Sequence, residues 1–129
     1  MNITSMIAFA AGTLAVIYIL YTSLANQPAS RQRHAAFAFF SLAFLAFSLF
    51  AVLQEGPLGF WTEHTRNFWG NQIWFDLLLG VATAWTFMLP RAKSVGLNLP
   101  LWGVLVLATG CIGLTAMAAR VLYLESQRT

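Results

Sequence analysis

Residues 99–124 read LPLWGVLVLATGCIGLTAMAARVLYL, one apolar run interrupted by a single charge, Arg120. A membrane-crossing helix needs roughly 17–25 apolar residues. This run is long enough. Its reading decides the fold: if it crosses, the chain is a four-pass bundle.

Working outward, three similar stretches precede it. They cover about residues 3–25, 34–53 and 71–89, with polar breaks between them. The chain has 129 residues, of which 59% are hydrophobic and 9% charged. A water-facing surface needs about a quarter of residues charged, so the composition excludes an ordinary soluble domain. The expectation is one membrane domain over 1–129, an all-α, four-pass transmembrane helical bundle. The first stretch ends in "SLANQ", which looks like a cleavage site. It has no basic segment before it and is long for a signal peptide, so it is read as a retained anchor. The single cysteine, Cys111, excludes an intrachain disulfide.

Charge orients the bundle. The break after the first stretch holds Arg31 and Arg33, and the break after the third holds Arg91 and Lys93. The 54–70 loop holds Glu55, Glu63 and only Arg66. Basic loops stay on the cytoplasmic side, so both termini are expected on the outer (periplasmic) side. The 54–70 loop, rich in Trp and Phe, is expected to lie along the outer surface, with room for a short amphipathic helix. Tyr18, Tyr21 and Trp102 fit an inner aromatic belt, and Trp69, Trp74 and Tyr123 an outer one.

Asp76 is the acid that needs an explanation, because an intramembrane charge is costly and tends to be functional. If the last two stretches pair antiparallel, Asp76 comes level with residues near 114, and Arg120 lies about 9 Å further out. Side chains lean toward the helix N-terminus, which closes that gap. An Asp76–Arg120 ion pair that fixes register is the favoured reading. Gln72, Asp76, Gly80 and Thr83 form one stripe, and Gly103, Val106, Gly110, Gly113, Met117 and Arg120 another. Small and polar residues mark helix interfaces in lipid.

Other constellations are weaker. Glu55, Glu63, His64 and Arg66 gather on the outer side as a possible acid–base or cation site, with a solvated loop the blander alternative. Phe37, Phe40, Phe44 and Phe47 fall on one stripe that could line a groove for a flat apolar ligand, or simply face lipid. The two histidines, His34 and His64, belong to opposite membrane surfaces, so one haem cannot take both. No metal-ligand spacing, nucleophile–base pair or cofactor fingerprint is present. Neither a basic run nor a nucleic-acid-binding motif occurs.

The segments NQIWFDLLLG, LPRAKSVGLNLPLW and TGCIGLTAMAARVLYLES give the C-terminal half a recognisable outline. Asp76 stands early in a membrane helix, Arg91, Lys93 and Gly96 form a basic turn, Trp102 opens the last helix, and Tyr123–Glu125 close it. This half resembles small bacterial membrane proteins grouped as domain of unknown function family 2834. The resemblance implies a bacterial inner (cytoplasmic) membrane protein and no particular chemistry. The expected role is a non-enzymatic accessory or scaffold subunit, partnered by lipid and by itself or a larger membrane complex. The alternatives are a homo-oligomeric transporter using Asp76, and a binder or modifier of a lipophilic ligand.

Overall fold

A computed structural model describes residues 2–24 and 31–128. The chain divides into two units, residues 1–30 and 31–129. The first contributes α1 (Ile3–Leu24). The second contributes α2 (Arg31–Glu55), α3 (Gly59–Thr65), α4 (Phe68–Ser94), α5 (Leu99–Thr109) and α6 (Cys111–Ser126). No strand occurs among the described residues. In lipid, a backbone without water partners is satisfied most simply within helices. Three helices, α1, α2 and α4, are long and apolar enough to cross a membrane.

α1 carries no Lys, Arg, Asp or Glu, and none of its side chains is buried. Its hydroxyls turn inward to its own backbone: Thr13 donates to the Phe9 carbonyl, and Thr22 and Ser23 to the turn before them. That removes the polar cost of placing them in lipid. Of the residues expected in this helix, Ala25 lies outside the described ones.

α4 runs further than the sequence indicates. It starts at Phe68, where the Asn67 side chain accepts from the Gly70 N–H, and it continues through Pro90 to Ser94. It ends in a glycine turn: Gly96 has φ +75°, and the N–H of Leu97 returns to the Ala92 carbonyl. This is the left-handed helix stop that favours glycine. The 54–70 segment is not a simple loop. Gly56, at φ +85°, turns the chain into α3, and residues 68–70 already belong to α4.

The last apolar run does not form one crossing helix. At Gly110 the backbone takes φ +59° and ψ −125°, and the chain folds back. A straight helix would hold Leu99 and Val121 roughly 33 Å apart. Instead Leu99 and Trp102 pack on the same cluster as Met117 and Val121, together with Ala92 and Val95 from the end of α4. α5 and α6 are thus the two arms of a helical hairpin. The reversal leaves backbone groups without helix partners. The Thr109 hydroxyl bridges it, donating to the Leu105 carbonyl (2.7 Å) and accepting from the Gly113 N–H (2.9 Å). Gly113 is buried at the fold. A Cβ there would stand 2.9 Å from the Leu105 carbonyl oxygen, so the close approach requires glycine.

α6 is the centre of the second unit: α2, α4 and α5 all pack on it. It runs antiparallel to α2. His34 meets Tyr123 ring to ring at 5.5 Å, and the Ser41 hydroxyl donates to the Ile112 carbonyl at 2.9 Å. Ser41 is ten residues into α2, roughly 15 Å along it. The tip of the hairpin therefore reaches about half the depth of α2.

Candidate functional site

Two charged groupings were expected to meet, and the hairpin separates them. Asp76 is exposed on α4. It makes no ion pair or hydrogen bond with any described residue. The Asp76–Arg120 ion pair does not form, because the fold at Gly110 carries Arg120 back toward the C-terminal end of α4. There its guanidinium carbon lies 5.6 Å over the Tyr123 ring, a cation–π contact. Tyr123 accordingly joins His34 at the basic end and not the outer belt.

The ion pair that does form is Arg91–Glu125. Arg91 donates through Nε (2.9 Å) and Nη2 to the two carboxylate oxygens of Glu125. This two-pronged geometry is the strongest form of such a pair. The guanidinium beside Glu125 holds its carboxyl below the ordinary carboxylate range. One turn on, Arg128 donates to the Ser94 carbonyl at the end of α4. Both bonds tie the end of α6 to the end of α4, the opposite placement from that of a crossing last helix.

Trp85 of α4 is a second anchor of the hairpin. Gly103 of α5 faces it, with room for a Cβ only 3.6 Å from the ring. The small residue thus sits at a helix contact. Its companions have other roles: Gly110 is the turn itself, and Gly113 packs against its own hairpin. On α4, Gln72, Asp76, Gly80 and Thr83 are all exposed, and a Cβ at Gly80 would touch nothing. Asp76 stands nine residues before Trp85, half a revolution around the helix at roughly 100° per residue. The polar stripe therefore looks away from the core.

At the corner between them, α3 lies against the first turns of α4. Gly70 is buried there, and a Cβ would come within 2.4 Å of the Glu63 carbonyl. Asn71 donates to the His64 carbonyl (2.9 Å), and the His64 ring meets Trp74 edge-on at 5.0 Å. The His64 Nδ1 bonds to the Phe60 carbonyl. Glu63 pairs with Arg66 at 3.4 Å, both well exposed. Glu63, His64 and Arg66 thus share one shallow depression, while Glu55 belongs to another, with Phe44, Phe47 and Phe60. Phe37 and Phe40 lie outside that second depression, so the phenylalanine stripe divides. No three His, Cys, Asp or Glu side chains converge on a metal-sized site among the described residues.

The sequence reading missed the hairpin and with it Arg91–Glu125. The available signal was Thr109-Gly110, a hydroxyl and a glycine side by side in mid-run, which is helix-stop chemistry. No protein-family model, curated protein or solved structure matches this chain.

Proposed function

We propose that this chain is a non-enzymatic accessory or scaffold subunit of a membrane assembly in the bacterial inner membrane. The carrying observation is how little it buries. None of the apolar window of α4 is buried among the described residues. Its core is confined to the hairpin and the end of α4. Helices in lipid associate through close packing and hydrogen bonds, not through hydrophobic burial. A chain whose α4 leaves a stripe of Gln, Asp, Gly and Thr exposed offers surface to other helices.

In this reading α1, α2 and α4 cross, and α5–α6 dips in and returns. The basic end, with Arg33, Arg91, Lys93 and Arg128, faces the cytoplasm by the charge rule. The N-terminus is then outside and the C-terminus inside, which replaces the expectation of two outer termini. Purification from native membranes in mild detergent tests the proposal. A stoichiometric larger membrane protein is the expected result. A stable monomer without a companion would contradict it.

A further inference from the structure

We infer that the Asp76 face of α4 docks a membrane helix of a different protein, one carrying a Lys or Arg at the depth of Asp76. This inference rests on the accessory-subunit reading and names the partner's chemistry.

Asp76 lies roughly 12 Å along α4 from Phe68, in a helix of roughly 40 Å, longer than the roughly 30 Å of a bilayer's hydrocarbon. A charge inside the hydrocarbon is costly unless it meets a counter-charge. Around it Phe68, Gln72, Phe75 and Leu79 line an open groove, and every lining residue comes from α4 itself. None of α2, α3, α5 or α6 contributes a wall.

Charge decides what fits. The chain has seven Lys and Arg residues. Arg31 and Arg33 open α2, Arg91 and Lys93 close α4, and Arg120 and Arg128 lie in the second half of α6. The seventh, Arg66, is at the α3–α4 corner and pairs with Glu63. α1 has no cation. Among the described residues, therefore, no Lys or Arg lies at the level of Asp76. The crowding of six cations at one end enforces a single orientation in the bilayer. A second copy in that orientation brings Asp76 only to the same cation-free level. The counter-charge must come from another chain, on a helix able to approach along Gln72 and Gly80.

The test uses the full-length protein in phosphatidylcholine vesicles and synthetic single-span Leu/Ala helices as probes. One helix carries a Lys at the Asp76 depth, one carries it at the mirrored inner depth, and one has Leu throughout. Association is read by energy transfer. The expected result is binding of the first helix about tenfold tighter than the others, lost in Asp76→Leu and kept in Asp76→Glu. Equal binding of all three helices, or binding unchanged in Asp76→Leu, overturns the inference. Wild-type self-association abolished by Asp76→Leu also overturns it, in favour of a second copy. A native companion that persists with Asp76→Leu would sink this inference alone; absence of any companion would sink the accessory reading.

Discussion

The two halves of α4 meet the same problem differently. At its C-terminal end, Arg91 is matched inside the chain by Glu125, over a core of Ala92, Val95, Met117 and Val121. At its N-terminal half, Asp76 stands exposed with no matching cation among the described residues. The difference comes from the hairpin. By returning α6 to the end of α4, it supplies packing and charge to one half and withdraws both from the other.

Truncating the core should break the finished half most. Met117 is fully buried, and Met117→Ala is expected to cost about 2 kcal/mol. That is the low end for such truncations, because the unpacked side chain would face lipid and not water. Thermal unfolding in detergent measures it. Gly110→Ala forces a side chain into a backbone region reserved for glycine and should cost about 1–3 kcal/mol. It should also loosen the hairpin, read as faster labelling of Cys111 by a thiol reagent.

Glu125 sharpens the comparison by pH. Its folded-state pKa is depressed by Arg91, so its contribution is present above the ordinary carboxylate pKa, 4.5. It is lost as pH falls through the lower folded value. Glu125→Gln should remove that acid-side slope. The loss at neutral pH should be under about 1 kcal/mol, since both partners are partly exposed. Asp76→Leu should change the stability of the isolated chain least, within about 0.5 kcal/mol. A large destabilisation there would show that Asp76 has an internal partner after all, and the two halves of α4 would no longer differ.

The helical class and three long apolar helices were legible from composition and run length, because a lipid-facing helix writes its length directly in apolar residues. So was the approach of the last two stretches near the turn, where Gly103 does face Trp85. The reversal was not legible. Run length measures apolar content and cannot tell a crossing helix from two short arms, and Gly110 was read as an interface residue in place of a turn. That one glycine moved Arg120, Tyr123 and Glu125 from one end of the bundle to the other. The extension of α4 through Pro90 escaped for a related reason: proline weakens a helix but does not always end it.

The return of the C-terminus to the basic end is tested most directly by single cysteines at Thr62, Lys93 and Gln127 in a Cys111→Ala background. Sealed, oriented vesicles would be treated with a membrane-impermeant maleimide. The hairpin predicts that cysteines 93 and 127 label from one side and cysteine 62 from the other. Labelling of cysteine 127 together with cysteine 62 would mean that the last run crosses the membrane, and would contradict the hairpin.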